Sequence, residues 1–366
     1  MHLQNLHLLS FKNYEHLDLE FPKDINCIVG ANGVGKTNLL DAINYLCMTK
    51  SAFNYVDNQN IKHGDPFFLV EGEIDSGERK FKIHCSLKNG RKKSFRLNKK
   101  EYEKVSEHIG KFPCVLITPY DTDLVREGSE IRRKFMDNTI SQTDKIYLDN
   151  LLKYNHLIRQ RNNLLKYFFE NRTFDQDLLD SYNEPIIGLG KSIYEKRNAF
   201  VEEFLPIFLE NYAFISDEAE PVALTYQSHH QTANFEEEFR RNIKKDLQLQ
   251  RTCMGIHKDD FLFEISNYPL KKFGSQGQQK SFVISLKLAQ FQVIYEITQN
   301  KPLLLLDDIF DKLDDNRIAK LLELVSKGTF GQIFLTDARP ERSAVLLDNM
   351  REKVAFYNME EIIPGT

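Results

Sequence analysis

Apolar residues recur along this chain with two periods, and the places where the period changes outline its architecture. From residue 3 to 29 the pattern is that of strands. Leu6, Leu8 and Phe11 lead into a loop, Leu17, Leu19 and Phe21 alternate with polar neighbours, and Ile25-Asn26-Cys27-Ile28-Val29 is a short apolar run. That run enters a glycine-rich loop, after which Leu39, Leu40, Ile43 and Leu46 return at helical spacing. The order is therefore strand, glycine loop, helix. Residues 68–97 alternate again: Phe81, Ile83, Cys85 and Leu87 precede Asn89-Gly90, and Phe95 and Leu97 follow it. This predicts antiparallel strands joined by a two-residue hairpin turn. Val115-Leu116-Ile117 predicts a further buried strand, ended by Pro119.

The period changes from about residue 130 to 250. Leu148, Leu151, Leu152, Leu157, Ile158, Leu164, Leu165 and Phe168 follow a helical rhythm, as do Ile193, Phe200, Val201, Phe204 and Leu205, and glycine is confined to Gly188 and Gly190. The stretch reads as a helical insertion of roughly 120 residues, enough for a hairpin or small bundle and too short for a very long coiled coil. After residue 250 the α/β pattern resumes. A helix is predicted from Phe282 to Ile297, a fully buried strand from Leu303 to Leu306, a helix from Ile318 to Val325 and a strand at Ile333-Phe334-Leu335. The expected division is 1–127 and 251–366 for two parts of one α/β head, with 128–250 as the inserted second lobe. No internal repeat is visible.

Three motifs carry chemistry. Gly30-Ala31-Asn32-Gly33-Val34-Gly35-Lys36-Thr37 has the spacing Gly, four residues, Gly-Lys-Thr, with Asn38 following. Its glycines let backbone N–H groups turn towards phosphate oxygens at the positive end of a helix. Lys36 is placed to reach the β- and γ-phosphates of ATP, and Thr37 to ligate Mg²⁺. The second motif, Leu303-Leu304-Leu305-Leu306-Asp307-Asp308, delivers two carboxylates from the end of a buried strand. Asp307 is the expected second metal contact, and Asp308 is placed to orient or deprotonate an attacking water. The third, Gly274-Ser275-Gln276-Gly277-Gln278-Gln279-Lys280, opens a long helix, with Ser275 as its cap and free N–H groups available to an anion. Read alone, it is better taken as an ordinary capped helix.

Composition narrows the setting. The chain has 366 residues, of which 41% are hydrophobic and 28% charged, so a sizeable core is available. No run of 18 apolar residues offers a membrane span, and the N-terminus has no leader pattern, so a cytoplasmic location is expected. The formal net charge of −4 means that nucleic acid must be held by local basic patches or by assembly, not by the surface at large. Cys27, Cys47, Cys85, Cys114 and Cys253 show no metal or redox spacing and read as buried free thiols.

The three motifs in this order resemble ATPase heads of the ABC and SMC type, an α/β P-loop fold of mixed sheet and flanking helices, here with a mostly helical inserted lobe. In such heads a serine-glycine-glutamine signature from one subunit caps the γ-phosphate held by the other. The resemblance implies that Ser275, Gly277 and Gln278 act in trans, while Gln276 stands where a second glycine is commoner. Leu313-Asp314 matches the dimer-facing loop of the superfamily. More narrowly, the chain is similar to the RecF family of bacterial recombination mediators. The match is carried by Ser10-Phe11-Lys12-Asn13-Tyr14, Gly30 to Leu40, Lys50-Ser51, Pro119 with Asp123-Leu124-Val125, Gly128 with Arg132 to Asp137, Gly255 to Asp260, Ser275 to Lys280 and Leu304 to Asp314. Lys258 and Met136 stand where arginine and leucine are expected. The resemblance implies an ATP-dependent homodimer that clamps gapped DNA, at junctions of single and double strands, and hydrolyses ATP slowly. It also implies help in loading the recombinase RecA together with RecO and RecR.

Other residues remain open to two readings. Lys88, Arg91, Lys92, Lys93 and Arg96, with Lys99 and Lys100, crowd the predicted hairpin and could contact DNA phosphates, or simply form a solvated strand edge. Arg132 and Arg133 could face DNA, or brace the insertion against the head through carboxylates; bracing is preferred. His257, Asp259 and Asp260 lack a known metal-ligand spacing and read as structural, or as coupling the head to the inserted arm. Thr336 and Asp337 both remain candidates for a switch residue after the strand ending at Leu335. Two other functions would share the phosphate loop. A small-metabolite phosphotransferase has no use for a helix acting in trans. An ATPase of phage defence would need a further catalytic module, and no metal-binding carboxylate cluster stands out in the roughly fifty residues after Asp314.

Overall fold

The computed structural model describes residues 1–54, 56–217, 220–311 and 314–363. The predicted dimer-facing residue Leu313 lies outside the described residues, whereas Asp314 lies within them. The chain divides into two compact units. The first comprises Met1–Thr122, Asn211–Glu218 and Lys280–Thr366, and the second comprises Asp123–Glu210 and Ala219–Gln279.

In the first unit, β1 (His2–Phe11), β2 (Tyr14–Glu20), β4 (Phe67–Asp75), β5 (Lys80–Lys88), β6 (Ser94–Leu97) and β7 (Lys100–Glu101) form an antiparallel sheet of order β2-β1-β4-β5-β6-β7. The strands β3 (Ile25–Val29), β8 (Cys114–Ile117), β12 (Leu303–Leu306), β13 (Ile333–Asp337) and β14 (Val354–Asn358) form a second sheet. It is all parallel, with the order β14-β3-β13-β12-β8. The helix Lys36–Met48 packs into a core shared with both sheets, through Leu39, Leu40, Ile43 and Leu46. On the other face of the parallel sheet, Ile284, Leu288 and Phe291 of the helix Gln276–Thr298 and Ile318 and Leu321 of the helix Asp315–Ser326 cover Leu304 and Leu306. Leu303 and Leu305 point to the first core and Leu304 and Leu306 to the second, which is why the strand is leucine at every position.

The predicted turn at Asn89-Gly90 forms, with the Arg91 N–H donating to Lys88 O at 2.9 Å, but the β5–β6 ladder does not run up to it. Ser86 and Ser94 are its last register pair, so a seven-residue loop, Leu87 to Lys93, follows. The strands part because Lys88 stays in register with Phe67 of β4, while the Lys93 ammonium is drawn to the Thr49 carbonyl oxygen (2.6 Å) and to Asp57 (2.8 Å).

The second unit is mainly helical. The helix Lys145–Asn171 is capped by Asp144, whose carboxylate accepts from the Tyr147 N–H at 2.9 Å, and it buries Leu151, Tyr154, Ile158, Leu165 and Phe168 along one stripe. One strand, β9 (Val222–Gln227), interrupts the stretch that reads as helical. It pairs with β10 (Asp260–Ile265), which pairs in turn with β11 (Tyr268–Pro269). No described helix is long and apolar enough to cross a membrane. Cys27, Cys47, Cys85 and Cys114 are buried, Cys253 is partly exposed, and all five are free thiols.

Candidate nucleotide site

The glycine loop joins β3 to the helix Lys36–Met48, and Gly30, Gly33 and Gly35 all have positive φ. At Gly35 this is a steric requirement. With φ at +112°, a Cβ there would lie 2.5 Å from Asn13 Nδ2 and 2.9 Å from the Tyr14 hydroxyl. Both neighbours come from the β1–β2 turn and hold the loop by its carbonyls. Tyr14 donates to Gly35 O at 2.8 Å, Asn13 donates to Val34 O at 3.2 Å, and Asn38 donates to Asn13 Oδ1 at 2.7 Å. Lys36 is folded onto its own loop, donating to Gly30 O (2.9 Å) and Ala31 O (3.1 Å). The Ala31 N–H donates to Glu360 at 2.9 Å. Asn32 is an exposed turn residue of the same loop.

The sheet order places β13 between β3, which leads into the loop, and β12, which leads to the acids. Thr37 therefore meets Asp307 across β13, donating to its carboxylate at 2.9 and 3.0 Å. Thr336, at the end of β13, donates to Asp307 Oδ1 at 2.9 Å and accepts the Asp308 N–H at 2.9 Å. Burial pushes the Asp307 carboxyl above its usual range, and the bonds from Thr37 and Thr336 pull it only partly back. Asp308 has a left-handed backbone, φ 42°, and one of its carboxylate oxygens is buried without a partner. A non-glycine residue in that conformation costs about 1 kcal/mol, a strain typical of functional positions. Among the described residues no lysine or arginine is within ion-pair distance of either acid. Hydroxyl and carboxylate oxygens with an unmet acceptor are the hard donor set that suits Mg²⁺, so Thr37 and Asp307 fit the metal expected there. Thr336 and Asp337 also part ways. Thr336 touches the acid pair, whereas Asp337 accepts from Ser343 (2.5 Å) and from the Arg339 N–H (3.0 Å).

The predicted signature lies at the start of the helix Gln276–Thr298. Ser275 is exposed and forms a reciprocal cap, with the Ser275 N–H donating to Gln278 Oε1 (2.6 Å) and the Gln278 N–H donating to Ser275 Oγ (3.2 Å). Gln278 also contacts Glu220 through its side-chain amide. Gly277 follows in the first turn, half-buried. Asp314 caps the helix Asp315–Ser326, accepting the Arg317 N–H at 3.0 Å and pairing with the Arg317 guanidinium.

Carboxylate pairing of Arg132 is observed inside the second unit, where its Nε and Nη2 reach Asp260 at 2.7 and 2.9 Å. Arg133 donates to Asp259 O at 2.6 Å. His257 Nε2 faces Thr252 O (3.0 Å) and so carries the proton, leaving Nδ1 to accept from the Tyr154 hydroxyl (2.9 Å). Burial lowers its pKa to about 4, in keeping with a neutral structural imidazole. Of the basic hairpin residues, Lys88, Arg91, Lys92 and Arg96 are exposed, and Arg96 stands 3.9 Å from Glu101. Lys93 differs: Tyr45, Thr49 and Asp57 occupy its ammonium, so little of its charge is free for a partner.

A phosphate loop, a paired acid strand and the sheet that joins them define a P-loop ATPase head of the SMC type. The chain belongs to the RecF family. Residues 2–359 match the RecF/RecN/SMC N terminal domain. Over 98% of its length the chain is 50% identical to the DNA replication and repair protein RecF of Flavobacterium johnsoniae, all of which is covered. It is 48% identical to the protein of the same name from Cytophaga hutchinsonii, over 95% of this chain and 92% of that one. Among solved structures, the recombination mediator protein RecF with ATP, in the RecFOR pathway, superposes with a TM-score of 0.86 at 29% identity, covering 93% of this chain and 92% of that one. A Pyrococcus furiosus Smc head domain shares the fold, with a TM-score of 0.56 at 17% identity over 99% and 94% of the two chains.

Proposed function

We propose that this chain is an ATP-dependent DNA-binding protein of recombinational repair and replication restart. In this reading ATP closes a homodimer around gapped DNA, weak DNA-stimulated hydrolysis releases it, and RecO and RecR cooperate with it in loading the recombinase. The observation that carries the reading is the contact of Thr37 and Thr336 with an acid pair that has no lysine or arginine within ion-pair distance among the described residues. The RecF relatives, one of them solved with ATP, support the particular assignment.

The residues supply the following chemistry. The amides of Gly33 to Thr37 bind phosphate oxygens at the helix start, and Lys36 exchanges its two loop carbonyls for the β- and γ-phosphates. Glu360 yields the Ala31 amide, since a carboxylate beside a polyphosphate is repelled. Thr37 and Asp307 would hold Mg²⁺, which neutralises phosphate charge when bound. Asp308 uses its unpartnered oxygen to orient the attacking water and accept its proton, with Thr336 fixing the positions of both acids. Ser275, with Gly277 and Gln278 at a helix start, caps the γ-phosphate on the partner protomer, so that each nucleotide bridges two heads. Asp314 lies in the dimer-facing segment. Loss of the γ-phosphate then loosens the pair. Lys88, Arg91, Lys92 and Arg96 supply salt-sensitive contacts to DNA phosphates.

The test is analytical sizing with and without ATP, repeated with gapped DNA. Asp308→Asn is expected to bind ATP, dimerise and retain DNA while hydrolysis falls by about 100-fold or more. Ser275→Arg is expected to bind ATP as a monomer and fail to pair. A stalled Asp308→Asn protein that held gapped DNA no better than the nucleotide-free protein would refute the clamp.

A further inference from the structure

The β1–β2 hairpin whose turn holds the phosphate loop carries a second group of polar side chains on its other face. Leu6, Leu8 and Leu17 are buried, so the alternate residues His7, His16 and Asp18 lie on the outward face. His7 and Asp18 are direct partners in the register, and His16 is two residues before Asp18 on the same strand and face. Both imidazoles converge on one carboxylate. His7 Nδ1 lies 2.6 Å from Asp18 Oδ1 and His16 Nε2 lies 2.9 Å from Asp18 Oδ2. The two rings meet edge to face with centroids 5.2 Å apart. One donor atom from each of the three residues falls within 4.8 Å of the other two. Glu71, the neighbour of His7 on β4, is engaged by His84 at 2.7 Å and does not complete the group.

We propose that His7, His16 and Asp18 form a binding site for a divalent transition-metal ion, Zn²⁺ in particular. Metal–ligand bonds of about 2.0–2.1 Å in a tetrahedral site put donor atoms about 3.3 Å apart, so these donors need shift by less than about 1 Å. Two borderline imidazole ligands beside one carboxylate favour Zn²⁺ or Cu²⁺ over the Mg²⁺ that accompanies nucleotides. Side-chain exposures of 31% for His7, 57% for His16 and 61% for Asp18 leave the fourth position to water. The strands fix two of the three ligands by register and the third by the two-residue repeat, so little ordering is required on binding. The site is separate from the acid pair and requires neither ATP nor DNA.

The test is a Zn²⁺ titration of the full chain, stripped by chelator, in competition with a chromogenic zinc indicator. One equivalent is expected to bind with a dissociation constant on the order of micromolar, unaffected by millimolar Mg²⁺. His16→Ala and Asp18→Asn should each weaken binding by at least about tenfold, whereas His156→Ala and Cys253→Ser should leave it unchanged. On the unaltered protein, zinc should protect His7 and His16 from diethylpyrocarbonate, read by peptide mass spectrometry. Binding of less than one equivalent, equal affinity in His16→Ala, or labelling of His7 and His16 indifferent to zinc would each overturn the proposal.

Discussion

Two largely buried clusters of carboxylates, one in each unit, are treated in opposite ways. In the second unit Arg197 is wrapped by acids. Its Nε and Nη2 face the two oxygens of Asp137 at 3.1 Å, and its Nη1 reaches Asp259 at 3.1 Å and Ile256 O at 2.9 Å. Arg161 meets Asp246 in the same manner at 2.8 Å. In the first unit Asp307 and Asp308 meet only hydroxyls and backbone, with no cation within ion-pair distance among the described residues. A compensated buried acid is part of the architecture, whereas an uncompensated one waits for charge from outside. The contrast does not simply divide the units, because Asp41 in the helix Lys36–Met48 is paired with Lys12 at 2.5 Å. Compensation is withheld where the β12 strand ends.

The comparison can be broken by removing charges one at a time. The largest effect is expected from Arg197→Met, which strands Asp137 and Asp259 and should destabilise the second unit by about 3–5 kcal/mol in chemical denaturation. A loss under about 1 kcal/mol would mean that these acids need no cation. Next in size is a pH effect common to both units. His108 and His257 share one arrangement, Nε2 on a carbonyl (Leu46 at 2.7 Å, Thr252 at 3.0 Å) and Nδ1 on a tyrosine hydroxyl (Tyr102, Tyr154). Burial lowers each pKa from 6.5 to about 4. The stabilisation from each neutral ring is therefore whole above pH 6.5 and is lost as pH falls towards 4, up to about 3 kcal/mol per histidine. Denaturation midpoints that stay level from pH 7 to 4 would contradict this.

Lys36→Met should lower ATP affinity by about 100-fold or more while leaving the denaturation midpoint unchanged, measured with a fluorescent nucleotide. The smallest effect is the most diagnostic. Asp307→Asn removes a buried charge that has no ion-pair partner among the described residues, so its stability should stay within about 1 kcal/mol of the parent or rise. A loss as large as that of Arg197→Met would place the acid pair among the structural carboxylates.

The phosphate loop, the acid pair and the capped helix at Ser275 were legible because each is a contiguous run whose residue types state their own geometry. Thr336 was only half legible. Its position after a predicted strand made it a candidate beside Asp337, and nothing along the chain chose between them. Asn13 and Tyr14 stood out through family likeness, without any hint that they brace Val34 and Gly35. Glu360 gave no signal, being 329 residues from the amide it meets. Lys93 looked like its basic neighbours, and its withdrawal towards Asp57 depends on a segment 36 residues away.

The sequence by itself determined the chemistry to expect: a loop with the phosphate-binding pattern, hydroxyl and carboxylate suited to a hard cation, and a helix start that can meet an anion. Periodicity and local spacing suffice for that, because they act between residues a few positions apart. Tertiary structure decided which groups are left uncompensated. Only the insertion of β13 between β3 and β12 brings Thr336 to both acids, and only burial in the second unit commits Asp137 and Asp259 to Arg197. Whether a charge is free or spent depends on what lies within a few ångströms of it in space, and that is settled when distant segments pack together.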